Sequence, residues 1–215
     1  MKTILCYGDS NTWGAVPQPR RGDGGRFPAD IRWPGAMRLA LGDGYTVIEE
    51  GLNGRTTCVP DPVEGAYKDG AAYLPVAIET HQPLDLVIIK LGTNDLKTRF
   101  AMQPVDIGFG MGRLAAIVRR SSFGPGGSAP NVLLVSPAPL AKLSWFEEMF
   151  EGGTQKSHHI AGEIALNAKA QGVHFFDAGS VIRSSDNDGI HLDADAHGTL
   201  GRALAGEVLS ILAGG

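Results

Sequence analysis

The chain has 215 residues, 43% of them hydrophobic and 20% charged, with a formal net charge of −4. That balance fits one globular domain able to bury a substantial core and argues against disorder. Basic residues adjoin only in pairs such as Arg20-Arg21 and Arg119-Arg120, so the clustered positive surface that tracks phosphates is missing and nucleic acid is excluded as a partner.

The opening apolar run, Ile4-Leu5-Cys6-Tyr7, is too short for a secretory segment and ends at charged Asp9. It predicts a first strand over 3–8. No apolar stretch reaches membrane-spanning length, and the expectation is a cytoplasmic protein without a membrane partner. Cys6 and Cys58 are too few for a disulfide scaffold or a four-cysteine metal site and read as small buried hydrophobes. Further strands are predicted at 45–49, 84–91, 131–136 and 173–177, each short and apolar in its middle, as strands covered on both faces are.

Helices are predicted between them at 33–41, 71–81, 104–120 and 154–171, with a last one at 193–212. Pro104 suits a first helical turn, Met111, Leu114, Ala115 and Val118 form an apolar face, and Asp193 suits an N-cap. Strands alternating with helices predict right-handed βαβ units. The expected fold is α/β: a three-layer α/β/α sandwich over residues 1–215, with a flavodoxin-like parallel five-stranded sheet in the order 2-1-3-4-5. The Gly/Pro/Ser-rich stretch 121–130 is a surface loop rather than a linker. Most of the longer irregular segments, 14–32, 54–70, 92–103 and 137–153, follow strands, and the crevice beyond the strands' carboxyl ends is where such sheets bind ligands.

Ser10 closes the first strand in Gly8-Asp9-Ser10. Near the other end stands Asp188-Gly189-Ile190-His191. An aspartate three positions before a histidine can orient the ring through Nδ1 and leave Nε2 to take a serine proton. Gly54, after Asn53, and Asn94, in Gly92-Thr93-Asn94-Asp95, follow the second and third strands. A glycine N–H and an asparagine amide both suit the oxygen that becomes negative in acyl transfer, beside the Ser10 N–H. As isolated segments these would be ordinary turns; their common edge argues for one site.

These blocks, in this order, resemble the SGNH hydrolases, also called the GDSL family. Gly8-Asp9-Ser10 with Asn11-Thr12-Trp13-Gly14 matches the first block, Gly54 the glycine block, Gly92-Thr93-Asn94-Asp95 the asparagine block and Asp188-Gly189-Ile190-His191 the last. Glu49-Glu50-Gly51-Leu52, Arg55-Thr56-Thr57 and Phe150-Glu151-Gly152-Gly153 are similar to the small bacterial arylesterase/acyltransferase branch. The resemblance implies Ser10 as nucleophile, His191 as base, Asp188 as its orienter, and an oxyanion hole of Ser10, Gly54 and Asn94. It also implies that Trp13, Phe146, Phe150 and Ile190 narrow an acyl pocket with Asn53 at its wall, and that Thr93 and Lys97 stand near its entrance. Asn11 replaces the family's usual leucine and is expected to make the pocket wall more polar. The branch commonly forms homo-oligomers, and the apolar segment 137–153, with Trp145, Phe146, Met149 and Phe150, is expected to line a pocket or a subunit contact.

Asp9 and Asp95 adjoin these residues and read as structural. Asp193, Asp195 and His197 gather near His191, but carboxylates suit the start of a helix, and neither metal nor cofactor is expected. His158-His159 fit a solvated helix face; His81 and His174 sit beside loops without an obvious partner. The sequence thus points to a serine esterase acting on a small ester of the short-chain aryl or alkyl type, with acyl transfer to an alcohol or peroxide where the pocket limits water. Its rivals are a carbohydrate acetyl-esterase with an open polar cleft and a non-catalytic flavodoxin-like binding protein.

Overall fold

Alternate side chains of a strand leave the sheet on opposite sides, and in this chain both sides are covered. The computed structural model describes residues 1–213; Gly214 and Gly215, the end of the expected 1–215 domain, lie outside the described residues. Five parallel strands, β1 (Lys2–Gly8), β2 (Tyr45–Gly51), β3 (Leu86–Lys90), β4 (Asn131–Ser136) and β5 (His174–Asp177), pair in the order β2-β1-β3-β4-β5. Ile4, Cys6, Leu86, Ile88, Leu133 and Val135 enter one apolar layer; Leu5, Tyr7, Val87, Ile89, Val132 and Leu134 enter the other.

The helices are α1 (Ser10–Trp13), α2 (Trp33–Leu41), α3 (Gly70–Thr80), α4 (Pro104–Arg119), α5 (Gly153–Gln171) and α6 (Ala194–Ala213). The first layer packs under α2 and α6, the second under α3, α4 and α5. Met111, Leu114, Ala115 and Val118 form the buried face of α4 as expected. Predicted ends coincide with the observed ones or shift by one or two residues. The strand expected over 84–91, for example, is Leu86–Lys90. No described helix is long and apolar enough to cross a membrane.

The short helix α1 is not foreseen by the sequence pattern, which places Ser10 in a turn. Asp9 caps it: its carboxylate accepts the Asn11 N–H at 3.0 Å and its carbonyl accepts those of Thr12 and Trp13. Four residues carry too little periodicity to register as a helix, and the cap makes the turn helical. The turn folds back tightly on β1, and a Cβ on Gly8 would overlap Thr12 Oγ1.

Several expectations are corrected here. His81 has a partner: its Nε2 lies 2.9 Å from Glu50 Oε1. Cys58 is only half-buried, while Cys6 is fully buried; both are free. Asp193 stands at the start of α6, its carbonyl accepting the His197 N–H, but its carboxylate accepts Ser185 Oγ at 3.0 Å instead of capping. Asp193 and Asp195 are exposed, and His197 has turned inward, accepting the Trp33 N–H on Nδ1 at 3.3 Å with its ring edge-on to Phe27. No group of three His, Cys, Asp or Glu residues among those described is placed to hold a metal.

Burial, with the charges of Lys90, His191 and Arg32 nearby, lowers the His197 pKa to about 3. The unfolded chain takes up this proton below the ordinary histidine value and the folded chain does not, so stability drains away as pH falls from that value toward about 3. His197→Gln, which keeps an acceptor for Trp33, is expected to lose about 2–3 kcal/mol less than the parent between about pH 7 and pH 4.5. Urea unfolding at the two pH values measures it.

Candidate active site

At the carboxyl edge of the sheet, β1 and β3 mark where the connections diverge to opposite sides, the position at which such sheets bind ligands. Ser10 leaves β1 there and Asn94 leaves β3. The loop before α6 brings a histidine to the same place: His191 Nε2 lies 3.1 Å from Ser10 Oγ, and His191 Nδ1 lies 2.6 Å from Asp188 Oδ2. Asp188 is wholly buried and both its oxygens are used. Oδ1 accepts the backbone N–H groups of Ile190 and His191, each at 2.9 Å, and Oδ2 also accepts that of Gln18 at 2.7 Å. Burial alone would raise its pKa; the His191 bond and charge and the Gln18 and Ile190 N–H groups outweigh it and hold the carboxyl below its usual range. An ionised Asp188 keeps the Nδ1 proton and leaves Nε2 as the acceptor facing the serine.

Opposite this line stand three donors. The Ser10 N–H opens α1 and has no partner within the helix. Gly54 sits in a turn closed by the Arg55 N–H on Leu52 O, with φ +79°, and a Cβ there would overlap Glu64 Oε2, so Asn53-Gly54 is both a turn and part of the cavity wall. The Asn94 side chain donates one hydrogen to Arg55 O at 3.1 Å, leaving the second for a ligand. Arg55 is buried, its guanidinium donating to Gly8 O at 2.9 Å and to Glu50 O and lying over the Tyr7 ring. One side chain therefore ties the strand before Ser10 to the Gly54 turn, while its carbonyl orients Asn94. Asp95 makes a second tie, accepting Thr57 N–H at 3.0 Å and Thr57 Oγ1 at 2.5 Å. Burial raises its pKa to about 6 against these bonds.

Ser10, Gly54, Asn94 and His191 open into one cavity of about 210 Å3. A larger cleft of about 740 Å3 lies between the Pro139–Ala141 and Val181–Thr199 stretches and touches none of these four. One wall of the smaller cavity is apolar: Ile190 and Phe146, whose ring stacks on Trp145 at 3.8 Å and meets Phe150 edge-on. The other wall is polar. Lys97 Nζ lies 2.5 Å from Glu64 Oε1, and Arg99 joins Glu64 to Asp61.

Three predicted pocket residues are elsewhere. Asn11 is buried but does not line the cavity; its amide is spent on the backbone beside His191. Trp13 packs its backbone where a Gly51 side chain would be, with Arg26 over its ring. Thr93 is buried behind Asn94 in the chain and absent from the wall. Asn53, Lys97, Phe146, Phe150 and Ile190 do line it. Gln18, Glu64 and the bracing role of Arg55 were not legible beforehand, because they come from irregular segments whose path no periodicity reports.

The GDSL-like lipase/acylhydrolase family model matches residues 6–199. The chain belongs to this family. Among solved structures, the inhibitor-bound aryl esterase of M. smegmatis is similar to this acylhydrolase at 47% identity and TM-score 0.94, covering 98% of this chain and 100% of the other. Est24, a carbohydrate acetylesterase from Sinorhizobium meliloti, is similar at 46% identity, with the same TM-score and coverage. An acetylxylan esterase of Xylanibacter ruminicola is 28% identical over 164 residues, 66% of this chain, and the chain spans only 29% of that relative's length. Family and neighbours together support a serine esterase on the SGNH fold.

The Asp95 tie gives a measurable consequence. Thr57→Val removes a hydroxyl donor to a buried carboxylate and is expected to lower stability by about 1.5–3 kcal/mol at about pH 8. The loss should shrink at about pH 4, below the Asp95 pKa, where the carboxyl is neutral and the missing donor matters less. Denaturant unfolding of both proteins at the two pH values checks magnitude and sign.

Proposed function

We propose that this acylhydrolase hydrolyses short-chain aryl and alkyl carboxylic esters through an acyl-Ser10 intermediate. The observation that carries the reading is the hydrogen-bonded line Ser10–His191–Asp188 opening into a small cavity. Ser10 Oγ attacks the ester carbonyl as His191 Nε2 takes its proton, and the Ser10 N–H, the Gly54 N–H and the free Asn94 amide hydrogen receive the oxygen as it becomes negative. His191 then protonates the leaving alcohol or phenol, and water, deprotonated by the same nitrogen, releases the acid. The small cavity, bounded on one side by Phe146, Phe150 and Ile190, supports a short acyl group with its leaving group toward the polar wall.

The apolar wall supports a second outcome. Beside Trp145, Phe146 and Ile190 a fully hydrated water path is disfavoured, so an alcohol or hydrogen peroxide competes for the acyl group, giving transesterification or perhydrolysis. The polar wall of Asn53, Glu64 and Lys97 favours another leaving group, since it offers partners to sugar hydroxyls. A carbohydrate acetyl ester is therefore the second substrate class. The segment 137–153 buries Phe146 and Phe150 within its own chain and leaves Trp145 and Met149 partly exposed, so a homo-oligomer would draw on those two and on exposed residues such as Val63 and Tyr67.

Ser10→Ala is expected to lower kcat by about a million-fold with the circular dichroism spectrum unchanged; near-parental turnover in the folded variant would end the reading. In an ester panel, acetyl esters should exceed octanoyl esters in kcat/KM, and added alcohol should yield a transfer product. Faster octanoyl turnover would contradict the restricted cavity, and preference for acetylated sugars over aryl acetates would select the second class.

A further inference from the structure

Asn11 follows the nucleophile in α1 and is 3% exposed, yet it belongs neither to the triad nor to the cavity wall. Its Oδ1 accepts the Leu192 N–H at 3.0 Å and its Nδ2 donates to Ile190 O at 3.2 Å. These two groups flank His191 on either side. A backbone N–H can meet only the amide oxygen, and a carbonyl only the amide NH2, so the contacts fix the amide's orientation. Apart from Ser10–His191 itself, these are the hydrogen bonds that join α1 to the 188–192 loop among the described residues.

The neighbours explain why such a clamp is needed. Ile190 faces the cavity with the α3–α5 layer, while Leu192 is buried in the opposite layer under α2 and α6. The backbone at His191 therefore crosses the edge of the sheet, where no strand pairing holds it. Asp188 sets the rotation of the imidazole through Nδ1 and the His191 N–H. Its hydrogen bonds go to Gln18 and to its own loop rather than to α1, so they do not fix the distance to the serine.

We propose that Asn11 is the positioning residue that holds His191 Nε2 within reach of Ser10 Oγ, by clamping the backbone on both sides of the histidine to the helix that carries the nucleophile. The inference rests on the serine-esterase reading. A change of polarity in the pocket, expected from the sequence, would alter KM. Loss of this clamp alters the geometry of proton transfer instead, and a misplacement of about 1 Å can cost on the order of 100-fold in rate.

The test is Asn11→Leu with p-nitrophenyl acetate as substrate and a fluorophosphonate as a probe of Ser10. The expected result is kcat down about 10- to 100-fold with KM within about twofold, phosphonylation slowed in parallel, and the low-field NMR proton of the Asp188–His191 bond broadened. Parental kcat in the folded variant overturns the proposal. So does a rise in KM at constant kcat, which would return Asn11 to the pocket wall. Should Asn11→Leu not fold, Asn11→Asp decides: it keeps the acceptor for Leu192 and loses the donor to Ile190. It should lower kcat at constant KM, and parental kcat there overturns the clamp. Failure of the esterase reading has a different signature, because the parent protein would then neither turn over the ester nor take the probe at Ser10.

Discussion

Both oxygens of a carboxylate with no exposed surface must be paired, and at Asp188 that requirement draws separate parts of the chain into one place. The Gln18 N–H comes from the long loop after α1, the Ile190 and His191 N–H groups from the loop before α6, and His191 Nδ1 completes the set. Removing any one donor would leave a charged oxygen short of a partner at a cost of about 1–3 kcal/mol or more. The loop 137–153 is attached to the same point, since Ala141 N–H donates to Gly189 O and Ser144 N–H to Asp188 O. Trp145 Nε1 and Ser144 Oγ close the circle on Gln18 O. The aromatic wall is thus hung from the carboxylate that meets His191 Nδ1.

A comparable logic governs the Gly54 and Asn94 side of the cavity with opposite charge. Arg55 is buried, its Nη1 donating to main-chain carbonyls at the ends of β1 and β2 and its guanidinium lying over the Tyr7 ring. Its own carbonyl turns the Asn94 amide toward the cavity. Glu64 sits against Gly54, where a lone carboxylate would place a negative charge on the cavity wall. Lys97 and Arg99 neutralise it at hydrogen-bond distance. Burial lowers the Lys97 pKa while Glu64 opposes that fall, so the pair is coupled. The polar wall can thus offer hydrogen bonds without presenting net negative charge to the cavity.

Much of the fold was legible because its signals are local. Apolar runs such as Leu86–Lys90 and Asn131–Ser136 mark strands covered on both faces, and Pro104 with Met111, Leu114, Ala115 and Val118 marks a helix start and face. Alternation of elements indicated right-handed crossings and a sheet covered on both faces, whereas the strand order came with the flavodoxin-like topology that the family resemblance implies. The site blocks were legible for a related reason: Ser10, Gly54, Asn94 and the Asp188–His191 segment each lie just past a strand or before a helix, where backbone geometry needs particular residue types. Asn11, Trp13 and Thr93 lie outside the cavity lining, Asn11 having been expected there because it follows Ser10 and the other two because the resemblance implies it. A side chain one residue after Ser10 leaves a helical turn about 100° away from it, and Asn11 and Thr93 are buried while Trp13 packs against the Gly51 backbone.

By itself the sequence determined the layers and the chemical types available at the carboxyl edge of the sheet, since these depend on periodicity, on turn chemistry and on how far each block lies from its strand. Only the tertiary structure decided which groups meet: that Asp188 takes its third main-chain donor from Gln18, that Arg55 orients Asn94, that Glu64 and Lys97 form the polar wall, and that Asn11 clamps the backbone beside His191. Every one of these contacts joins residues from separate loops. The path of an irregular loop is set by what buries it and by which partners satisfy its polar groups, and neither is written in the spacing of its own residues.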